Sequence, residues 1–159
     1  MRSEPLVLAF DTSAAHCAAA LLCGDRLLES RSESMAKGQA ERLIPMLEEM
    51  LARHAATWRD LAAIGVGTGP GNFTGVRIAV SAARGLALAL GIPAIGVTRL
   101  EALALGLPRP VLVVEDARRG DVYAQAFGPD TAPLLTTPQA LAVGAGAGHC
   151  MTGSAAEAV

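Results

Sequence analysis

Residues 6–21, LVLAFDTSAAHCAAAL, align without gaps on residues 111–126, VLVVEDARRGDVYAQA, at a constant offset of 105. In both stretches four apolar residues are followed, after one intervening residue, by an aspartate, a short turn and an alternating run. A repeat of this kind constrains the fold before any single element does. It implies two lobes, each opening on the same β-hairpin. Leu6–Phe10 reads as a buried strand ending at Asp11, with His16–Cys23 returning beside it. In the second copy Val111–Glu115 and Val122–Phe127 play those parts, joined by the turn DARRGD.

The segments between the copies read as an α/β lobe. Gly24-Asp25 is a hairpin signal, which makes Arg26–Glu33 a third strand antiparallel to the second. From Gln39 to His54, Leu43, Ile44, Leu47, Met50 and Leu51 recur at helical spacing, with Pro45 either in the first turn or at a kink. A short strand from Ile64 to Gly67 leads into the loop GTGPGNFTG, and Thr74 is the expected N-cap of a helix ending before Gly91. Pro93–Val97 is a further strand, and Thr98 or Arg99 opens a short helix. The expected domains are residues 1–105 and 106–159. The second has half the length of the first. It is expected to be incomplete: 140–148 offers one strand, HCMTGSAAEAV lacks the helical length to cover a sheet face, and order fades beyond about Gly148.

The glycine loop has two readings. It lacks the lysine of a P-loop, and Gly67, Gly69, Gly71 and Gly75 are not spaced as in a dinucleotide fingerprint. Pro70-Gly71 suits a type II turn with Gly71 at positive φ, so Gly69, Pro70, Gly71, Thr74 and Gly75 read as residues that shape the chain. Exposed amides at a helix N-terminus beside Arg77 could instead hold an anion. In the helix that follows, Val76, Val80, Ala83, Ala87 and Leu90 form the expected core stripe. Ser81, Gly85 and Ala89 form a second strip of tiny side chains. Gly85 costs roughly 0.8–1.0 kcal/mol against alanine in a helix interior, a cost that close approach of a neighbouring backbone would offset. That neighbour is either the same chain or another molecule.

Several function classes are excluded or weakened. The net charge is −2 with no block of Lys or Arg, so unaided RNA binding lacks its basic footprint. The most apolar run, 85–97, is about 13 residues with a proline inside, against roughly 20 for a membrane span. No membrane association is therefore expected. The histidines His16, His54 and His149 form no metal-ligand spacing, so no metal and no cofactor is read. Three cysteines, two of them on one strand, fit reduced thiols and a cytoplasmic location. Asp11 and Asp116 each follow a strand; they are turn-formers or weak phosphate contacts.

LAFDTS, ERLIPMLEEML, GVGTGPGNFTGVRIAVSAARGLALALGIPAIGVTRLEALA and EDARRGDVYAQAF together resemble the TsaB (YeaZ) family over roughly residues 6–146. The resemblance implies a two-lobed actin/hexokinase-like (ASKHA) α/β fold, with a complete first lobe and a truncated second one. It implies a non-catalytic dimerisation subunit that pairs with a TsaD-like catalytic subunit, joined by a TsaE-like ATPase. Threonylcarbamoyl then reaches N6 of the tRNA adenosine beside the anticodon, with tRNA met only through the complex. A homodimer is a further expectation. The helices at 39–54 and 76–90 match those that pack against the partner, which assigns Leu43, Leu47, Arg77, Ser81, Gly85 and Ala89 to the interface. Where family members carry a histidine before the first helix, this chain reads KGQAERL, so no role is carried over for it. The competing class is an enzyme of the same fold, a glycoprotease-like metallopeptidase or a kinase-like phosphotransferase.

Overall fold

A computed structural model describes residues 4–128, 131–144 and 150–158. The chain divides into two compact units, Met1–Val97 and Thr98–Val159. The boundary thus falls before the short helix that the sequence assigned to the first lobe.

In the first unit β1 (Leu6–Asp11) pairs antiparallel with β2 (His16–Cys23), which pairs antiparallel with β3 (Arg26–Ser34). On its other side β1 runs parallel to β4 (Leu61–Gly67), and β4 to β5 (Ala94–Val97), giving the order β3-β2-β1-β4-β5. Alternation decides the faces: Leu6, Leu8 and Phe10 with Cys17, Ala19, Leu21 and Cys23 point to one side and are buried. Helices α1 (Gln39–Arg53) and α2 (Phe73–Leu90) cover that side. In α1 Pro45 stands beyond the first turn on the exposed side, so the helix begins earlier and runs through it. The three cysteines are free thiols, Cys17 and Cys23 inside this core.

Strand β3 is the charged edge of this sheet, and ion pairs tie it to α1. Arg42 sends Nε and Nη2 to the Glu33 carboxylate at 2.6 and 2.8 Å, and Nη1 to Glu49 at 2.6 Å. Arg31 also bridges Glu33 and Glu49. Farther along, Glu29 accepts from Arg53 and lies 3.0 Å from His54 Nε2. The Arg42 guanidinium, with Arg31, holds the Glu49 carboxyl down at about 2.

The second unit repeats the first. Strand β6 (Val111–Arg118) pairs antiparallel with β7 (Asp121–Phe127), and β7 with β8 (Leu134–Thr136); β9 (Cys150–Thr152) lies parallel to β6. The order β8-β7-β6-β9 is that of β3-β2-β1-β4, and a helix precedes the fourth strand in each. This is the duplicated topology of an actin/hexokinase-like fold. Helix α3 (Arg99–Ala104) starts on a Thr98 cap whose hydroxyl accepts from the Glu101 amide. It packs Leu100 and Ala104 on Val111, Val113 and Phe127. On the opposite face Leu141 of α4 (Pro138–Gly144) meets Leu112, Val114, Val122 and Ala124.

Two expectations for this unit are corrected. The segment starting at 140 is helical through Gly144 instead of a strand, while 145–149 lie outside the described residues. Residues 150–156 are held largely through backbone bonds that their poor apolar content did not suggest. Strand β9 pairs with β6, Ala155 N–H donates to Val114 O at 3.1 Å, and Ser154 N–H donates to Glu115 Oε1 at 2.7 Å. Glu115, buried in β6, also meets Arg99 Nε at 2.6 Å.

Candidate interface site

In an open α/β sheet, ligands favour the crevice outside the carboxyl ends of strands where the chain order reverses. In the first unit that point lies between β1 and β4, where residues 12–15 and 68–72 emerge. Here the loop's own glycines close against the turn after β1. A Cβ on Gly71 would stand 2.4 Å from Ser13 O, one on Gly75 1.9 Å from Thr12 O, and one on Gly67 1.8 Å from Asp11 Oδ2. Asn72 N–H donates to Ser13 O at 2.6 Å, and the Thr12 hydroxyl donates to Gly75 O at 2.6 Å. These glycines permit backbone-to-backbone approach, which fills the crevice with protein.

The loop shapes the chain, though not through the expected residues. Gly69, at φ 84°, supplies the left-handed conformation, not Gly71, so the Pro70-Gly71 type II turn is not formed. The N-cap is Asn72, whose side chain accepts from Gly75 N–H at 3.0 Å, so Thr74 sits inside the first turn. Both aspartates are turn-formers. Asp11 Oδ1 accepts from Ser13 N–H and Oγ, at 2.9 and 2.8 Å, and lies 3.1 Å from His16 Nε2. Asp116 Oδ1 accepts from Arg118 N–H at 2.9 Å.

Helix α2 then presents an unusual face. Its buried residues are Gly75, Ala79 and Ala83, a stripe rotated by about one residue from the expected Val76–Val80–Ala83–Ala87–Leu90 line. At its first turn Gly75 lies directly against Thr12. Ser81, Gly85 and Ala89 are exposed, and a Cβ on Gly85 would meet nothing within 4 Å. The small strip therefore serves no packing within the described residues. Leu88 is 86% and Phe73 68% exposed beside it, and the Arg77 guanidinium lies 3.8 Å above the Phe73 ring. The helix is 18 residues long and apolar enough, by length and composition, to cross a membrane. The shorter run 85–97 understated this length; the Gly75–Ala79–Ala83 side nonetheless belongs to the core of the first unit.

Leu43 and Leu47, assigned to the interface with α2, are 1% and 0% exposed and form core against the sheet. On α1, Glu41, Pro45, Glu48 and Ala52 are exposed, as are Ala40 and the β3-paired Glu49 and Arg53. The residues that sequence reasoning missed are Thr12, Ser13 and Asn72. A Thr-Ser pair directly after a strand is ordinarily read as a turn, and nothing local tells that its carbonyls receive a loop some sixty residues away.

Three sets of similarity bear on this arrangement. The family described as "TsaD: tRNA N6-adenosine threonylcarbamoyltransferase" matches residues 30–146. The "tRNA threonylcarbamoyladenosine biosynthesis protein TsaB" of Escherichia coli (strain K12) is 38% identical over 122 residues, 74% of this chain and 52% of that protein. The protein of the same description from Bacillus subtilis (strain 168) is 38% identical over 127 residues, 76% of this chain and 54% of that one. Among solved structures, "YeaZ from Pseudomonas aeruginosa" superposes with a TM-score of 0.73 at 34% identity, covering 84% of this chain and 68% of that one. The chain belongs to the TsaB (YeaZ) family. A second structure, described as an uncharacterized protein with similarity to peptidase YEAZ from Pseudomonas aeruginosa, gives 0.79 at 33% identity, covering 94% and 74%. The chain spans about half the length of the curated TsaB relatives it matches.

Proposed function

We propose that this chain is a non-catalytic, cytoplasmic pairing subunit in the biosynthesis of threonylcarbamoyladenosine in tRNA, docking a TsaD-like catalytic subunit through the outward faces of α2 and α1. The family supplies the pathway; the observation that carries the pairing role is the exposed face of α2. An 18-residue helix that buries three small residues and leaves Leu88, Gly85, Ala89 and Phe73 outside presents the apolar, closely approachable surface that a second helix needs. The filled crevice at the β1/β4 switch point favours this reading over a kinase-like one.

Charge adds a direction. Arg77 and Arg84 on α2 are seven residues apart, as are Glu41 and Glu48 on α1, and none has an ion-pair partner among the described residues. A partner with the same two stripes, whether the paralogous subunit or a second copy, can set acid against base on both helices. A TsaE-like ATPase joining the pair, and tRNA reached through it, complete the proposal.

The test is Gly85→Arg. The site is open, and arginine has the better helix propensity, so the isolated chain should fold with unchanged or slightly raised stability. Co-expression with the TsaD-like subunit and size-exclusion chromatography should show the complex lost, together with threonylcarbamoylation by the reconstituted set. Wild-type pairing in a folded Gly85→Arg chain would overturn the proposal.

A further inference from the structure

We propose that Thr12 and Ser13 are positioning residues for the docking face of α2, a role that rests on the reading of that face given above. No side chain of α2 longer than a methyl is fully buried. Helix packing angles are ordinarily fixed by ridges of side chains entering grooves. Here the fully buried residues are Gly75, Ala79 and Ala83, and the ridges come from the half-buried Ile78, Val80, Leu86 and Leu90 along the rest of the helix. One end of α2 is also held by polar bonds to the turn after β1. The Thr12 hydroxyl donates to Gly75 O, and Ser13 O receives the Asn72 amide, each at 2.6 Å.

The clamp is built to be rigid. Thr12 and Ser13 are 0% and 1% exposed and are the buried polar residues of the first unit among the described residues. Buried hydroxyls and carbonyls are tolerated only when bonded, so each has one acceptable geometry. Asp11 fixes the turn itself by accepting from both the amide and the hydroxyl of Ser13. Gly75 lets the helix come close enough that a Cβ could not enter. Because the clamp sits at the first turn, its errors grow along the helix. A tilt of about 5° there moves Leu88, about 20 Å farther at 1.5 Å per residue, by roughly 2 Å. Arg84, Gly85, Leu88 and Ala89 lie at that far end, where a partner helix would need them in register.

The experiment uses the full chain with Cys150→Ser, nitroxide labels at Ser32→Cys on β3 and Ala89→Cys on α2, and the distance distribution between them. Thr12→Val removes the hydroxyl at nearly constant shape, and Thr12→Ser restores it. Asn72→Pro deletes the other donor at a residue whose φ is already −62°; Asn72→Ala is its control for the lost cap. We expect Thr12→Val and Asn72→Pro to shift or broaden the distance by roughly 2 Å, by the same lever. Thr12→Ser and Asn72→Ala should stay close to wild type. In unlabelled chains Thr12→Val should weaken the TsaD-like subunit about ten-fold, a 1.4 kcal/mol change, with Thr12→Ser rescuing it. An unchanged distance in both Thr12→Val and Asn72→Pro overturns the clamp whether or not a partner binds. Should Thr12→Val fail to fold, Asn72→Pro, at an exposed position, decides alone. A moved helix with undiminished affinity overturns the docking role. A wild-type chain that binds no TsaD-like subunit overturns the docking reading itself, while the distances still report on the clamp.

Discussion

The two units share a strand order and differ in how they finish the end of their first strand. Asp11 and Asp116 occupy equivalent places, and each accepts the amide two residues on at 2.9 Å. Beyond that point they diverge. The first unit opens a wider turn whose carbonyls receive the 68–75 loop. The second closes at once through Arg119 and Gly120, both at positive φ, and its hairpin register moves by one. The residue before the aspartate changes too: Phe10 is core, whereas Glu115 is a buried carboxylate held by Arg99 and the Ser154 amide. One topology thus uses its first strand either to seat a long helix or to fasten the two ends of a short unit.

Breaking each fastening separately sharpens this contrast. Gly75→Ala puts a methyl 1.9 Å from Thr12 O, a backbone atom that cannot swing aside. A loss of about 3 kcal/mol is expected, at the upper end for overpacking, with amide exchange accelerating in α2 and β1 and unchanged in β6 and β7. Exchange that rises equally in both units would mean the two do not unfold independently.

Glu115→Ala should do the converse. Removing one partner of a fully buried pair costs about 3–5 kcal/mol, and Arg99 keeps some contact with water, so about 2 kcal/mol is expected here. The loosened amides should be those of α3 and residues 150–156. Glu115→Phe with Arg99→Leu, copying the apolar solution of the first unit, should recover most of the loss in urea denaturation.

Gly85→Ala is the smaller counterpart of Gly75→Ala on the same helix. Nothing faces it, so the isolated chain should gain about 1 kcal/mol from helix propensity, read as a raised melting temperature. A loss would mean that Gly85 packs within the chain after all.

The smallest effect is acidic. Arg53 lowers Glu29, and Arg42 lowers Glu33 and Glu49, the last to about 2. These folded values lie below the ordinary 4.5, so the stabilisation is complete above that pH and is lost as pH falls toward about 2. All three carboxylates belong to the first unit; in the second, the Thr98 amide lowers Glu101. Urea midpoints between pH 6 and pH 3 should fall slightly for β3 and α1, and Arg42→Gln should flatten that slope.

The repeat made the architecture legible, because a period-2 pattern ending in aspartate is local and survives in both copies. Helix termini marked by Gly91 and Thr98 were legible for the same reason. The site was legible only in part. Ser81, Gly85 and Ala89 read as a strip from spacing alone, yet Leu43 and Leu47 share their apolar character with core positions, and composition does not tell inward from outward. At the first turn of α2 Gly75 meets Thr12, a contact across 63 positions that no window along the chain contains. Residues 150–156 were misjudged because their hold is backbone pairing to β6, which leaves no trace in hydrophobicity.

The ion pairs along β3 have a consequence for association as well as for stability. A sheet grows by adding strands at its edges, and charged side chains discourage that growth. With Arg26, Glu29, Arg31 and Glu33 on β3, that edge is guarded. At the opposite edge β5 exposes Ile95 and Val97 without a charge between them. If the first unit ever recruits a foreign strand, it does so from one side only, so misassembly of this chain has a built-in polarity.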